Sequence, residues 1–385
     1  MKKISVFICV HLWTIFLVIS ASAQDFKTIN NGIEYAETTR EIDKLPVKIN
    51  LLRLDLTKVR LDVVHAMDAA IGTETVSSMA KRHGALAAIN AGFFRLDKSI
   101  FAGDAAGVLT IDGRLLSESY ADRIALGISN NNKKTKVAFG HLKAYIFVSF
   151  SGNLTVFADG INRESKINES ILYTSEFDQT PVTNDIATEI VLKDCRSVCW
   201  KSEFIESKGG TLIPEDGYVL SLQGEKRNLV TDAVRKKILS NSLKLATVVE
   251  MFQLLDSKKK TFNEMQDIIG GVPQLIKNGV IEITWEQEKY SKKDVEIKHP
   301  RTAVAKLKDG KFLMVTVDGR SAESSGIGLQ HLAEILLELG AIDAMNLDGG
   351  GSTTMFLDGK IVNKPSDKEG ERKVGDAILV TPRKK

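Results

Sequence analysis

The 385-residue sequence has little of several features that would narrow its class. Seven prolines and 6% aromatic residues exclude a collagen-like or proline-rich chain. Lys and Arg together number 52 against 49 for Asp and Glu, so the excess of one charge that holds a polyanion is missing. We therefore expect no nucleic-acid partner. What is present is ordinary globular composition, with 43% apolar residues that can fill a sizeable core.

Only the N-terminus carries a long apolar run. Met1-Lys2-Lys3 is followed by a mostly apolar stretch over 4–19 and then by Ala21-Ser22-Ala23. A basic start, an apolar run and small residues at its end are typical of a secretory signal peptide, here cleaved after Ala23. The alternative, an uncleaved anchor, needs about 20 apolar residues to span a membrane. We expect a signal peptide at 1–23 and a secreted or periplasmic protein with no membrane span after cleavage.

Cysteine is scarce, with Cys195 and Cys199 alone remaining beyond the predicted signal peptide. Outside the cytoplasm two thiols tend to be oxidised. On one extended strand they would lie about 13 Å apart, whereas a disulfide needs Cα atoms within about 7 Å. A bridge therefore requires a turn or helical stretch at 196–198, and bridged or free thiols both remain open. No His or third Cys lies nearby to complete a metal site.

Alternating apolar residues and β-branched clusters dominate the rest of the chain and predict strands. The predicted strands are 47–64, 137–139, 145–150, 154–157, 186–192, 218–222, 243–252, 302–307 and 312–317. Helical periodicity predicts helices at 328–339, 75–83 and 231–239. The charged segment 286–298 is typical of a solvated face or hairpin tip.

This mixture predicts an α+β fold, a strand-rich mixed sheet with a few inserted helices. Nothing beyond residue 86 has the composition of a domain boundary. We expect one main domain over 73–382, preceded by an N-terminal strand region over 24–72 that packs on it.

Three short apolar runs end in clusters of Asn, Asp and Gly, and each cluster could also be a simple turn. The clusters are Asn90-Ala91-Gly92-Phe93-Phe94, Asp318-Gly319-Arg320 and Asn346-Leu347-Asp348-Gly349-Gly350-Gly351-Ser352. Strand ends are places where a rigid scaffold presents polar groups to a ligand. We therefore interpret the three clusters together as a candidate site.

The glycine triplet is the sharpest of these signals. Consecutive glycines are costly in a folded chain and favour a tight turn or a close approach of backbone N–H groups to an anion. Asn346 and Asp348 before the triplet and Ser352 after it favour a site over a hairpin turn. The Lys-Ser/Thr ending of a nucleotide-binding P-loop is missing.

Seven segments, taken in order, resemble the phosphodiester glycosidase family over roughly 73–381. They are 90–94, 173–174, 213–217, 270–273, Pro300-Arg301-Thr302-Ala303, 317–320 and 346–352. The resemblance implies hydrolysis between the anomeric carbon of a sugar and a phosphodiester oxygen, which releases free sugar and a phosphate monoester. The implied partner is a carbohydrate phosphodiester of the envelope or extracellular glycan.

The resemblance also suggests roles for individual residues. A phosphate leaving group needs charged and N–H donors, and the developing cation on the sugar needs a carboxylate. Asp348 is the first candidate for that carboxylate and Asp318 the second, with Asn90 orienting a hydroxyl or water. The expected substrate-binding residues are Arg301, Thr302, Arg320, Gly92, Phe93, Asn346, Gly349, Gly350, Gly351 and Ser352.

This scheme requires no cofactor and no metal ion, although an Asp and Asn cluster could hold calcium. Two alternatives use the same pocket. One is a non-catalytic module that binds phosphosugars or wall glycan, and the other is an enzyme acting on exopolysaccharide without a phosphodiester. The sugar, the aglycone, the stereochemical outcome and the oligomeric state are left open by the sequence.

Overall fold

The computed structural model describes residues 25–150, 154–182, 187–196, 198–207, 210–239, 246–255 and 262–383. The predicted signal peptide, 1–23, lies outside the described residues. The described part of the chain is rich in strands and has few helices, which is broadly consistent with the predicted α+β fold. None of its helices reaches the length and apolar character that crossing a membrane requires.

The strands, in chain order, are β1 (Lys27–Asn30), β2 (Ile33–Ile42), β3 (Leu45–Leu54), β4 (Val59–His65), β5 (Glu74–Thr75), β6 (Ala87–Asn90), β7 (Leu109–Ile111), β8 (Arg114–Ser117), β9 (Ile124–Asn130), β10 (Thr135–Phe150), β11 (Leu154–Ala158), β12 (Gly160–Ile161), β13 (Ser170–Thr174), β14 (Ala187–Cys195), β15 (Cys199–Ser207), β16 (Tyr218–Leu222), β17 (Ala246–Leu254), β18 (Asp267–Gly270), β19 (Gln274–Lys277), β20 (Val280–Ile281), β21 (Arg301–Leu307), β22 (Phe312–Val317), β23 (Ala341–Asn346), β24 (Met355–Leu357), β25 (Lys360–Ile361), β26 (Lys373–Val374) and β27 (Asp376–Pro382). The α-helices are α1 (Val76–Arg82), α2 (Asp232–Leu239), α3 (Lys292–Glu296) and α4 (Leu329–Glu338).

Three main sheets build the described part of the molecule. An eight-stranded sheet has the order β1-β2-β3-β22-β21-β23-β19-β20, and a five-stranded sheet has the order β25-β24-β6-β27-β4. A twelve-stranded sheet runs from β12 to β8, with β11 attached to β10. Strand pairing within these sheets is antiparallel except between β12 and β13, so the sheets are less mixed than the sequence predicts.

The main core lies where the three sheets face each other. Leu52 and Met345 from the eight-stranded sheet, Ile89 and Ile378 from the five-stranded sheet, and Leu126 from the twelve-stranded sheet belong to one buried cluster. A second cluster is formed on the other face of the eight-stranded sheet, where α4 packs Leu329, Leu332 and Leu336 against it. Burying apolar surface on both faces makes this sheet a rigid support.

Most predicted elements are confirmed, and the differences concern one predicted strand that is two strands and two predicted strands that are one. The predicted strand 47–64 is wrong as a single element, because a turn at Asp55–Lys58 separates β3 from β4. The predicted strands 137–139 and 145–150 are instead parts of one sixteen-residue strand, β10. This strand pairs with β9 over its first half and with β17 over its second half. One long strand with two successive partners therefore replaces the two short strands that the sequence predicts.

The charged segment 286–298 is solvated over much of its length, as the sequence predicts, but two of its residues anchor it inside the protein. Glu288 is completely buried, and its carboxylate accepts N–H groups of Ile124 (3.0 Å) and Gln274 (2.8 Å). The side chain of Val295 on α3 joins the core beneath α4. A buried carboxylate with several donors fixes the segment to the body of the protein.

The two remaining cysteines are bridged. Cys195 and Cys199 stand opposite each other at the end of the β14–β15 hairpin with Cα atoms 3.9 Å apart. The tight turn that the sequence requires for a bridge is therefore present.

Candidate active site

Antiparallel pairing brings two of the three predicted clusters to one edge of the eight-stranded sheet. Strand β21 lies between β22 and β23, with Arg301 opposite Val317 and Ala303 opposite Asn346. The beginning of β21 therefore lies beside the ends of both neighbours. This places Arg301 and Thr302 beside the segments that follow β22 and β23.

The third cluster comes from the five-stranded sheet. Asn90, at the end of β6, stands opposite Ala377 near the beginning of β27. The hydroxyl of Thr302 donates to Oδ1 of Asn90 (2.8 Å), and Nδ2 of Asn90 donates to the carbonyl of Asp348 (2.7 Å). These two bonds join the sheets at the site.

Asn90 itself is fully buried, and its side-chain oxygen has no free capacity to contact a substrate. Its Oδ1 accepts both the Thr302 hydroxyl and the Thr354 N–H (3.1 Å), and its amide group holds the Asp348 carbonyl. An asparagine side chain has two acceptor lone pairs, and both are used here. The geometry therefore favours a role in positioning Asp348.

Asp348 directly follows Asn346-Leu347 at the end of β23, and the residue is half-buried. Its Oδ1 accepts the N–H of Gly349 at 3.0 Å. Burial raises the pKa of Asp348 to about 6, while the Ser352 hydroxyl, the Gly349 N–H and the charge of Arg372 lower it. A carboxylate with a pKa near neutrality can act as a nucleophile or a base.

A second carboxylate, Asp376 at the beginning of β27, lies behind this position. Its side chain is fully buried, and Oδ1 accepts the N–H of Gly92 at 2.5 Å. Burial raises the pKa of Asp376 to about 7, the Gly92 N–H lowers it, and the charge of Asp348 raises it. The charge of Asp348 therefore acts on Asp376, and we treat the two acids as a pair.

Arg301 is buried, and its guanidinium is largely occupied by backbone carbonyls. Its Nε donates to Ile327 (3.1 Å), and one Nη donates to Asp294 (2.6 Å) and Ile297 (2.8 Å). It also contacts the hydroxyl of Tyr290, whose pKa is raised by burial. A phenol that stays protonated can donate a hydrogen bond into the site.

Two further arginines flank the glycine triplet. Arg372 forms a two-pronged ion pair with Asp367 (2.7 and 3.0 Å) and packs against Gly351. Arg320 is exposed, and its guanidinium lies above Gly350. Both residues have a positive φ of 61°. The guanidinium contacts the Ser366 hydroxyl at 3.2 Å. Arg320 is more exposed than Arg301 and Arg372.

The amides of the glycine triplet are less available than the sequence suggests. The N–H of Gly349 donates to the Asp348 carboxylate, and the N–H of Gly350 donates to the carbonyl of Pro300 (2.9 Å). A Cβ at Gly349 would lie 2.7 Å from that carbonyl oxygen, which explains why glycine is needed there. The triplet therefore packs the loop against the beginning of β21, and the N–H groups of Gly349 and Gly350 donate to oxygen atoms of the protein itself.

The remaining predicted residues divide between the opening and the support of the site. Phe93 packs edge-on against Tyr290, with ring centroids 6.2 Å apart. The side chain of Asn346 is buried and donates to the carbonyl of Val272 (2.7 Å). The hydroxyl of Ser352 is buried beside Asp348.

Asp318 is buried apart from the Asp348–Asp376 pair. Its Oδ1 accepts the N–H of Lys364 at 3.1 Å. Burial raises its pKa, and the charged groups that act on it are Lys48 and Glu37. The geometry therefore favours Asp348 over Asp318 as the reactive carboxylate.

Sequence reasoning missed three residues of this site, Asp376, Arg372 and Tyr290. Asp376 and Arg372 lie in Arg372-Lys373-Val374-Gly375-Asp376, a short polar stretch before the last strand. The strand-end pattern that identified the other clusters could have been applied to strand beginnings, since antiparallel neighbours meet there. Tyr290 lies in the segment that charge patterning assigned to solvent. No group of three or more His, Cys, Asp or Glu in the described residues is arranged to hold a metal ion.

Residues 199–381 match the family model described as phosphodiester glycosidase. The chain is 42% identical over 88 residues to the SPbeta prophage-derived uncharacterized protein YomE of Bacillus subtilis, which is 23% of this chain and 14% of that protein. It is 37% identical over 117 residues to the human N-acetylglucosamine-1-phosphodiester alpha-N-acetylglucosaminidase, 28% of this chain and 22% of that protein. The alignments thus span less than a quarter of these curated relatives.

Two solved structures share the fold over most of this chain. A hypothetical protein from Synechocystis superposes with a TM-score of 0.73 at 23% identity, covering 94% of this chain and 64% of that one. A putative exported protein from Burkholderia pseudomallei superposes with a TM-score of 0.69 at 21% identity, covering 88% and 74%. At this identity the likeness concerns the fold.

Proposed function

We propose that this chain hydrolyses the glycosidic bond of a sugar 1-phosphodiester, because residues 199–381 match the family model described as phosphodiester glycosidase. The bond between the anomeric carbon and the bridging oxygen breaks, and that oxygen stays on phosphorus. Water supplies the hydroxyl of the free sugar, and its second proton balances the phosphate monoester. The relative named for such a reaction matches this chain in part, so the activity is a proposal for this protein.

The observation that carries the proposal is the placement of Asp348. The residue is half-buried, its carboxylate accepts the Gly349 N–H, and Asn90 holds its backbone carbonyl. An anomeric centre that gains positive charge is stabilised by a carboxylate held in this way. In this scheme Asp348 acts either as the nucleophile or as the base for water.

The phosphate side of the substrate fits the opposite edge of the loop. Arg320 is exposed above Gly350, and the side chains that it contacts within the described part of the chain, Ser366 and His299, carry no negative charge. The departing phosphate monoester is a weakly basic leaving group that needs charge neutralisation more than a proton. We assign phosphate binding first to Arg320.

Arg301 and Arg372 support the site in different ways. The carbonyls of Ile327, Asp294 and Ile297 hold Arg301 in place, and it in turn orients the Tyr290 hydroxyl. The charge of Arg372 is balanced by Asp367 but still lowers the pKa of Asp348. The ring faces of Phe93 and Tyr290 suit the apolar face of a sugar.

We also propose that the protein acts outside the cytoplasm, on envelope or extracellular glycan. The predicted signal peptide and the Cys195–Cys199 bridge support this location. A protein of the same fold is described as a putative exported protein.

The test is product analysis on a panel of sugar 1-phosphodiesters that varies the sugar and the alcohol. The parent protein should release free reducing sugar and a phosphate monoester, which phosphorus NMR and carbohydrate chromatography identify. Asp348→Asn should release neither. Asp358→Asn is the matched control, because Asp358 lies exposed in the hairpin turn that follows β24 and its substitution should not change turnover.

The outcomes separate the alternatives. Binding of intact substrate without products would support a phosphosugar-binding module instead. Release of sugar from a glycan that lacks phosphate would support an exopolysaccharide enzyme. Equal turnover by the parent and Asp348→Asn would contradict the assignment of Asp348.

A further inference from the structure

Asp376 is buried more completely than a structural role alone explains. Its residue is 0% exposed, and of its two carboxylate oxygens only Oδ1 has a donor, the Gly92 N–H. No partner for Oδ2 lies among the described residues. An ionised carboxylate with one free buried oxygen is costly, so a proton on this group is favoured.

The backbone of Ala91 connects this buried acid to Asp348. The N–H of Ala91 donates to the carbonyl of Asp376 (3.2 Å), and the N–H of Asp348 donates to the carbonyl of Ala91 (3.0 Å). Gly92 completes the connection through its bond to Asp376 Oδ1. A Cβ at position 92 would lie 3.1 Å from Oδ2 and 3.0 Å from Ile269 Cδ1, so a side chain there would crowd the carboxylate.

We propose that Asp376 is a positioning residue that holds one proton close to Asp348, so that the half-buried Asp348 carries the negative charge while the fully buried Asp376 stays neutral. This inference rests on the proposed function for its effect on catalysis. The placement of the two acids and its effect on their protonation do not depend on that function.

The neighbouring groups agree with this division. Burial raises the pKa of Asp376 to about 7 and that of Asp348 to about 6, and the charge of Asp348 contributes to the former. His65 stands opposite Asp376 on β4, but its ring contacts the carbonyls of Gly103 and Ala66, and burial lowers its pKa. Burial thus disfavours a charged imidazolium beside Asp376.

The charged and titratable groups on the other side act on Asp348. Arg372 lowers the pKa of Asp348, and Asp348 in turn raises the pKa of the Tyr290 hydroxyl. With Asp376 neutral, the pair carries one negative charge. When Asp376 ionises, a second negative charge appears behind the first, and binding of a phosphodiester anion becomes weaker.

The first measurement needs no substrate. In protein labelled with ¹³C at aspartate carboxyl groups, the Asp348 resonance, assigned by its loss in Asp348→Asn, is followed from pH 4 to pH 9. The parent should show two steps, near pH 6 and near pH 7, because Asp348 senses both ionisations. In Asp376→Asn, which keeps an acceptor for the Gly92 N–H, the upper step should be lost.

The control removes a buried carboxylate elsewhere. Asp267 accepts N–H groups of Val63 (3.0 Å) and Asp112 (2.9 Å), and the acids that act on it are Asp112 and Asp62. Asp267→Asn should leave both steps of the Asp348 resonance in place. A single step in the parent, or an upper step that persists in Asp376→Asn, would overturn the proposal, and the parent result decides even if a variant does not fold.

The second measurement uses turnover. The parent kcat/KM should decline above pH 7 by up to about tenfold per pH unit, and Asp376→Asn should lack this decline. A side chain that only supports the fold would change the level of activity without changing the pH profile. If no substrate is turned over, the proposed function fails while the resonance titration still decides the role of Asp376.

Discussion

The segments after β22 and after β23 begin alike and serve different ends. Both strands are antiparallel neighbours of β21, and both are followed by an aspartate and a glycine, Asp318-Gly319 and Asp348-Gly349. Asp318 is 2% exposed and caps the N–H of Lys364, whereas Asp348 is half-buried and its carboxylate accepts the N–H of Gly349. The same local pattern thus gives a structural corner in one case and a candidate reactive group in the other.

The difference comes from the partners that the two segments meet. After β22 the chain is held by Ser324, whose hydroxyl donates to the Asp318 carbonyl and accepts the N–H of Lys48 (3.0 Å). After β23 the chain meets β6 from another sheet, where Asn90 holds the Asp348 carbonyl. A second carboxylate close to Asp348, that of Asp376, is fully buried, whereas the carboxylate that acts on Asp318 belongs to the exposed Glu37. A site forms where two sheets meet.

The largest expected effect comes from neutralising the two aspartates in turn. Asp348→Asn should lower turnover by at least about 10²–10³-fold, or about 2.7–4 kcal/mol, because the reaction loses its stabilising carboxylate. Its melting temperature should not fall, since a charge whose burial is unfavourable is removed. Asp318→Asn keeps an acceptor for Lys364 and should retain most of the turnover.

Steady-state kinetics and thermal unfolding of both variants test this comparison. A larger loss of turnover in Asp318→Asn than in Asp348→Asn would reverse the assignment of the two turns.

The buried partner of Asp348 should appear in the pH dependence of stability. The pKa of Asp376 is about 7 in the folded protein against the ordinary aspartate value of 3.8, so the folded state binds more protons between these values. The free energy of unfolding therefore falls as pH rises from about 4 to 7, by at most about 1.4 kcal/mol per pH unit from this group. Asp376→Asn should remove that contribution.

Urea unfolding of the parent and of Asp376→Asn at several pH values measures the difference. The variant should gain stability relative to the parent as pH rises through this window and stay level above it. A constant difference from pH 4 to pH 8 would mean that Asp376 does not titrate there.

The two arginines predicted to bind phosphate should separate by what their substitution changes. Arg320→Lys keeps the charge but loses the planar fork, so affinity for a phosphate monoester product should fall about tenfold with little change in stability. Arg301→Lys loses bonds to the carbonyls of Ile327, Asp294 and Ile297 and should mainly lower the melting temperature.

Calorimetric titration with inorganic phosphate and with the product, beside thermal unfolding, tests both variants. Unchanged affinity in Arg320→Lys would remove this residue from phosphate recognition.

The sequence predicts the supports of the site better than its chemistry. Apolar alternation correctly predicts β16 and β22, and the stripe over 328–339 predicts α4, because these elements bury one regular face. The strand-end clusters correctly bring Asn90 and Asp348 into one region. Neither signal predicts which side chain is satisfied by neighbours, since that depends on contacts between distant parts of the chain.

Asn90 and Tyr290 show this limit most clearly. The donors and acceptors that occupy Asn90 come from Thr302, Asp348 and Thr354, more than 200 residues away. The segment of Tyr290 is charged and predicts solvent exposure, but Glu288 ties it to β9 and β19. A charge pattern cannot reveal that one of its acids is paired inside the protein.

The smallest expected effect comes from the hairpin that carries the disulfide. Cys195 ends β14 and Cys199 begins β15, so the disulfide joins two residues only four positions apart at the hairpin turn of the twelve-stranded sheet. A loop this short restricts few unfolded conformations, so the bond should contribute less than the roughly 3 kcal/mol estimated for a 15-residue loop. Reduction should therefore leave turnover, and the contrast between Asp318 and Asp348, unchanged.

Intact-mass measurement of the exported protein after alkylation checks both the bridge and the predicted cleavage. Without reductant no thiol should react, with reductant two should react, and the mass should lack residues 1–23. Turnover and urea unfolding of the reduced, alkylated protein then complete the test. A large loss of turnover on reduction would show that this hairpin and the site are coupled through the core shared by the three sheets, and that the two turns alone do not determine the activity.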